Sequence, residues 1–278
     1  MTINCNGRLI DLSEPKIMAI LNTTPNSFYD GGSHVDMDSI LSKVEEYIKY
    51  GAEIIDVGGY STKPGAEEVS EEEELQRTIP VIEKLMEKYP QLILSIDTFR
   101  GNVARAAVKA GASIINDVSG FELDDEMLPA IAELRVPYIL MHMKGTPQTM
   151  QDNPSYEDVT LEVNQYFSEK IARLRALKVN DIILDPGFGF AKTLAHNYEL
   201  FSKMEVLGFG QYPLLVGISR KSMIYKFFGT TPQEALNGTT ALNMVALQKG
   251  AKILRVHDVK EAAETLKIYH ALQGKLEQ

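Results

Sequence analysis

The sequence predicts an α/β protein of the (β/α)8-barrel class, and three observations carry that expectation. First, eight short apolar runs each end in polar punctuation: KIMAILN, EIIDVGG, LILSID, SIINDV, YILMHM, DIILDPG, LLVGISRK and ILRVHDV. Second, most are separated by stretches long enough for a helix. Third, the runs are nearly continuous in Ile, Leu and Val, as expected of parallel strands buried on both faces. A barrel of this kind builds its active site where the strands end, so the polar residues at those ends are the candidate site.

The elements follow in chain order. Asn4 to Pro15 precedes the first barrel strand, and Asn6-Gly7 between short β-prone pieces predicts a hairpin closing the barrel's bottom. After the first strand, Met37, Ile40, Leu41, Val44 and Ile48 share one helical face. Ser70 followed by Glu73 has the form of a capping box opening the next helix. The acidic run Glu71 to Glu74 is then explained by the favourable placement of negative charge in a helix's first turn. Val163, Phe167, Ile171 and Leu174 mark another helical face. Two loops after strands are unusually rich in turn residues, Thr23 to His34 and Gly58 to Glu68, and long functional loops belong on the catalytic face.

The chain has 278 residues and no Pro-, Gly- or Ser-rich linker, so one domain spanning 1–278 is expected. A net charge of −10 argues against general affinity for nucleic acid or anionic membranes, though not against a small anionic ligand. The single cysteine, Cys5, excludes an intrachain disulfide and fits a reducing compartment. No signal peptide or membrane span is read, so a soluble cytoplasmic protein is expected.

The strand ends carry Asn22, Asp56, Asp97, Asn116, His142, Asp185, Lys221, Arg255 and His257, with Thr62 on the second loop. An aspartate after a strand often caps the next helix, and Asp56 and Asp117 are assigned to that class. For the rest, burying so many polar groups at one mouth is costly without a ligand. Asp97, Asn116, Asp185 and Lys221 offer fixed acceptors and donors, suited to a flat polar heterocycle read along its edges. Arg255, His257, Asn22 and Lys63 suggest a second zone for phosphate oxygens or a phosphate-bound metal. In GISRKSMIYKFF, Ser219 has the form of a helix N-cap, with Arg220, Lys221 and Ser222 in the first turn. Cations there imply a nearby anion, unless Arg220 and Lys221 simply face solvent. There is no HExxH, no cysteine cluster and no GxSxG, and GFGFAKT lacks full phosphate-loop spacing.

Taken together, these motifs resemble the dihydropteroate synthase family. The segments ILNTTPNSFYDGG, IIDVGGYSTKPGA, LSIDTFR, IINDVSG, MHMKGTP, ILDPGFGFAKT, VGISRKSMI and ILRVHDV match in order over nearly the whole chain. The resemblance implies a TIM barrel that joins p-aminobenzoate to 6-hydroxymethyl-7,8-dihydropterin diphosphate, releasing pyrophosphate and 7,8-dihydropteroate. It implies that Asp97, Asn116, Asp185 and Lys221 hold the pterin, and that Asn22 meets a Mg²⁺ ion. Arg255, His257 and Lys63 would engage the diphosphate. Phe28, Thr62, Pro64, Phe190 and Ser222 would form the p-aminobenzoate pocket. Asp30 and Asp97 would stabilise a cation-like pterin methylene, making Asp30, Asp97, Lys221, Arg255 and His257 the catalytic set. A homodimer is also implied. The first loop departs from the family's NVTPDSFSDGG at Thr23, Asn26 and Tyr29, and Lys63 stands where arginine is common. Two alternatives are a pterin-dependent methyltransferase module and a pterin-binding paralogue without turnover.

Overall fold

Asn6 and Gly7 take left-handed backbone, with φ of 51° and 90°, the conformation a tight two-residue hairpin turn demands. They join β1 (Thr2–Cys5) to β2 (Arg8–Asp11) in antiparallel register, Cys5 opposite Arg8. The hairpin therefore begins two residues before the expected Asn4. This computed structural model describes residues 1–23, 36–60, 69–145 and 154–275.

The eight expected runs all form strands: β3 (Lys16–Asn22), β4 (Ile54–Gly58), β5 (Ile93–Asp97), β6 (Ile114–Asp117), β7 (Tyr138–Met141), β8 (Ile182–Asp185), β9 (Leu214–Val216) and β10 (Ala251–Val256). They close into a parallel barrel in the order β10-β3-β4-β5-β6-β7-β8-β9. The helices among the described residues are α1 (Met37–Lys49), α2 (Glu71–Lys88), α3 (Gly101–Ala110), α4 (Met127–Leu134), α5 (Val159–Ala176), α6 (Leu194–Ser202), α7 (Ser222–Phe228), α8 (Leu236–Gln248) and α9 (Val259–Leu272). The expected apolar faces pack inward: Ile40 and Val44 on α1, and Val163, Phe167 and Leu174 on α5, are buried. Met37, Leu41, Ile48 and Ile171 pack partly buried against the same core.

Strand alternation explains why the site lies where it does. One face of each strand points outward and packs under the helices, through residues such as Ile17, Ile55, Leu94, Ile115, Leu140, Leu184, Val216 and Leu254. The other face points into the barrel. At its lower end each strand contributes one apolar side chain: Met18, Ile54, Ile93, Ile114, Ile139, Ile183, Leu215 and Ile253. The hairpin completes this layer from below with Ile3, Cys5 and Ile10, joined by Leu12. Full burial of side chains of this size contributes about 1.5–3 kcal/mol each. The layer is an apolar floor. The buried polar side chains of the inner face lie above it.

Two local expectations change. Ser70 does cap α2, its side chain accepting from the Glu73 amide at 3.2 Å. Glu74, however, is fully buried and ion-paired with Arg100, so it is not merely a solvated first-turn charge. Ser219 does not cap α7, because that helix starts at Ser222 and Lys221 occupies the cap position. Among the described residues no helix is long and apolar enough to cross a membrane.

Candidate active site

Moving two residues beyond the apolar floor, alternation places Ile20, Asp56, Ser95, Asn116, Met141, Asp185, Gly217 and Arg255 on the inner face. Two further, it places Asn22, Gly58, Asp97, Val118, Met143, Gly187, Ser219 and His257. The candidate residues on the described strands therefore come from one surface and converge, with the exception of His142.

Arg255 organises this surface. Its Nε donates to Asp56 Oδ2 at 2.7 Å, and its Nη2 donates to Asp97 Oδ2 at 2.5 Å. Asn116 Nδ2 donates to the same Asp56 oxygen at 2.9 Å. The guanidinium thus ties β4, β5 and β10, and Asp56 extends the network to β6. Burial and the paired carboxylates act in opposite directions on Arg255, and the net effect holds it more firmly protonated than usual. Asp97 is pushed up to about 7 by burial, against the pull of Arg255 and helped by the negative Asp56. Asp56 Oδ1 and Ser95 Oγ are buried on this face without a hydrogen-bond partner among the described residues. Such orphaned atoms are expected where a polar ligand completes the network.

Asp185 stands across the barrel. Burial raises its pKa, opposed by Lys221, and its Oδ1 accepts from the Gly187 amide at 2.8 Å. Lys221 Nζ donates to the Phe188 carbonyl at 2.6 Å and lies 4.6 Å from the Phe190 ring centre. Burial lowers its pKa to about 8, while Asp185 pulls the other way. Asn22 ends β3 and lies beside Asp97, across Gly58: a side chain at Gly58 would touch both of their oxygens within 3.9 Å. His257 is held by Ser219, whose Oγ accepts from the His257 amide at 3.2 Å and lies 3.1 Å from ring Nδ1. Ser222 is the first residue of α7 and is half-buried, as is Phe190.

Several expectations are corrected by these contacts. Asp56 is no helix cap. It is buried on the inner face and is the shared acceptor of Arg255 and Asn116. The inner-face period from Ile54 was the signal that could have found it. Asp117 is structural, as expected, but on the outer face it anchors a turn, accepting from the Ser119 and Phe121 amides and the Tyr138 hydroxyl. His142 falls on the outer face and pairs with Lys192 instead of the barrel mouth. Arg220 and Lys221 do not face solvent. Arg220 makes two bonds of 2.8 Å to Asp258, so the anion it requires is an internal carboxylate. The expected separation of a heterocycle zone from a phosphate zone is also less sharp, because Arg255 is bonded directly to Asp97. Phe28, Asp30, Thr62, Lys63 and Pro64 lie outside the described residues.

Chemically, the surface offers carboxylates, an amide and an amine for an edge-read heterocycle, beside a guanidinium and an imidazole able to face an anion. No group of three or more His, Cys, Asp or Glu side chains is placed to hold a metal among the described residues. The hard amide oxygen of Asn22 next to the Asp97 carboxylate fits a magnesium ion that keeps its waters and leans on substrate phosphates.

Comparison with known proteins shows the family to which this barrel belongs. Residues 18–257 match the family described as pterin binding enzyme. Dihydropteroate synthase of Escherichia coli strain K12 is 46% identical over 273 residues, covering 98% of this chain and 96% of that protein. The structure of Yersinia pestis dihydropteroate synthase with a sulfonamide drug complex superposes with a TM-score of 0.92 at 43% identity, covering 99% of this chain and all of that one (100%). That of the Xanthomonas albilineans enzyme with 4-aminobenzoic acid gives a TM-score of 0.90 at 41% identity, covering 98% of each chain. The chain belongs to the pterin binding enzyme family and, within it, to the dihydropteroate synthases.

Proposed function

We propose that this chain, read as one pterin-binding barrel domain over 1–278, condenses 6-hydroxymethyl-7,8-dihydropterin diphosphate with p-aminobenzoate, yielding 7,8-dihydropteroate and pyrophosphate. The observation that carries the reading is the polar surface above the apolar floor, where Asp56, Asp97, Asn116 and Arg255 form one network facing Asp185 and Lys221. Family membership supplies the substrate identities.

The residues divide the work by their chemistry. Asp97, Asn116, Asp185 and Lys221 hold the pterin by its donors and acceptors. Arg255 and His257, with Lys63 from the second loop, hold the diphosphate. Phe190 and Ser222, with Phe28, Thr62 and Pro64 from the loops, receive p-aminobenzoate. An arylamine is a neutral nucleophile at pH 7, so no strong general base is needed. Its nitrogen bonds to the pterin methylene carbon as the carbon–oxygen bond to the diphosphate breaks, and the amine then gives up a proton. The hard part is the departure of a highly charged group. Arg255 and His257 counter that charge, and the carboxylates of Asp97 and Asp30 favour positive charge building at the methylene. Asn22 would help hold Mg²⁺, which when bound would neutralise diphosphate charge. A homodimer in the cytoplasm completes the proposal. The low cysteine count supports the compartment, and light scattering on purified protein tests the assembly.

The deciding experiment is pyrophosphate release by purified protein with the dihydropterin diphosphate and Mg²⁺, with and without p-aminobenzoate. Release that depends on p-aminobenzoate and yields dihydropteroate supports the proposal. Sulfonamide inhibition relieved by raising p-aminobenzoate supports the pocket. Pterin binding with no release overturns catalysis in favour of a binding paralogue, and methyl transfer to a corrinoid would favour the methyltransferase.

A further inference from the structure

Lys192 is a buried amine with no part in the reaction described above; burial lowers its pKa to about 7, while Asp185 pulls the other way. It is 3% exposed and lies just beyond the loop that leaves β8. Its Nζ donates to the Gly187 carbonyl at 3.0 Å and the Phe190 carbonyl at 3.1 Å, and lies 2.9 Å from His142 Nδ1. In its ammonium form it has three protons, which these three partners can saturate. The match requires His142 to offer the lone pair of Nδ1 and carry its proton on Nε2. Burial and the neighbouring lysines keep the imidazole neutral, which suits it to that task. His142 is itself 2% exposed and stacks edge-on against Tyr166, with ring centres 4.9 Å apart.

The segment so held is the one that faces Lys221. Its backbone takes positive φ at Gly187 (65°), Gly189 (83°) and Ala191 (49°), and of these only Ala191 carries a steric cost. A side chain at Gly187 would come within 2.1 Å of the His142 carbonyl, so the turn passes tightly over β7. Asn197 braces it from α6, accepting from the Gly189 amide at 2.7 Å, and Tyr156 donates to the Ala191 carbonyl at 2.8 Å. Beside these braces the loop presents the Phe188 carbonyl and the Phe190 ring to Lys221. Lys192 bonds to the carbonyl of Gly187, just before Phe188, and to that of Phe190 itself.

We infer that Lys192 is a positioning residue: its ammonium, seated on His142, clamps the Gly187–Phe190 turn so that Phe188 and Phe190 hold Lys221 against the pterin. This rests on the proposed function for the identity of the ligand, while the clamp itself does not. Lys192 touches neither substrate; it acts through Lys221.

The test is a double-mutant cycle on the dissociation constant of 6-hydroxymethyl-7,8-dihydropterin diphosphate with Mg²⁺, measured calorimetrically on full-length protein. Lys192→Met should weaken binding about tenfold or more alone, and less than about threefold when Lys221→Met is already present, since residues acting through one contact are non-additive. A role confined to general stability would lower the melting temperature and leave the cycle additive; additivity overturns the inference. Hydrogen exchange gives a readout independent of function. Lys192→Met should speed exchange at the Gly189 and Phe190 amides and leave the strand amides unchanged. Unchanged exchange at those two amides also overturns it. Should Lys192→Met fail to fold, His142→Leu removes one acceptor and keeps both carbonyl contacts, and should show the same pattern at reduced size. If the wild type neither binds the pterin nor releases pyrophosphate, the functional reading fails, and exchange alone then decides whether the clamp exists.

Discussion

Replacing Asp56 by alanine removes the shared acceptor of the barrel network. The side chain is 1% exposed, and one oxygen takes bonds from both Arg255 Nε at 2.7 Å and Asn116 Nδ2 at 2.9 Å. Breaking a buried ion pair by deleting one partner typically costs about 3–5 kcal/mol, because a charge is left without compensation. Two features reduce that figure here. Arg255 keeps Asp97 as a second carboxylate, and its side chain retains 18% exposure. Asp56 Oδ1 is also unpartnered, so the carboxylate removed was only partly satisfied. An expected loss of about 2–3 kcal/mol follows, or roughly 3–5 °C in melting temperature for a chain of this size. Pterin affinity should fall about tenfold or more, because Arg255 and Asn116 both lose the group that orients them. The assay pairs thermal unfolding with calorimetric titration of the dihydropterin diphosphate. Asp56→Asn keeps the shape and one acceptor, and should lie between. An Asp56→Ala protein with unchanged melting temperature and unchanged affinity would refute the reasoning that Asp56 holds the network together.

Lys221→Ala should leave the barrel folded, with unchanged circular dichroism, and lower aminobenzoate-dependent turnover on the order of 10²-fold or more. The pH profile of kcat/KM for the pterin diphosphate should be bell-shaped. Asp97 must be ionised to pair with Arg255 and is pushed up to about 7, so activity falls on the acid side; Lys221 must be protonated and is lowered to about 8, so it falls on the alkaline side. Asp97→Asn should remove the acid limb. For stability the sign is opposite: with a folded pKa near 7 against an ordinary 3.8, Asp97 favours the fold most at low pH, and that contribution is lost as pH rises through about 7. Difference unfolding curves of wild type and Asp97→Asn check this. At the other end of the barrel, Leu12→Ala opens a cavity at a fully buried position and should cost about 2–5 kcal/mol with kcat unchanged, as chemical denaturation with parallel turnover assays would show.

The barrel was legible because its signals are local. Strand runs, helix periods and the Asn6-Gly7 turn each depend on residues a few positions apart, and all eight strands appear where the runs stand. The strand-end rule then pointed to Asn22, Asp97, Asn116, Asp185, Arg255 and His257, whose side of the sheet follows from counting in twos along each run. The same count separates Asp56 from His142. Asp56 is two residues beyond Ile54 and so faces inward, whereas His142 is three beyond Ile139 and faces out.

The sequence by itself determined the fold class, the order of the elements and which end of the barrel carries chemistry, because side-chain alternation and turn propensity are written along the chain. Only the tertiary structure decided who pairs with whom. Arg255 meets Asp56 across 199 residues and Asp97 across 158, Lys192 meets His142 across 50, and Arg220 meets Asp258 across 38. Such partners are selected by barrel closure and register, which bring strand ends together in space without leaving any local trace of the match.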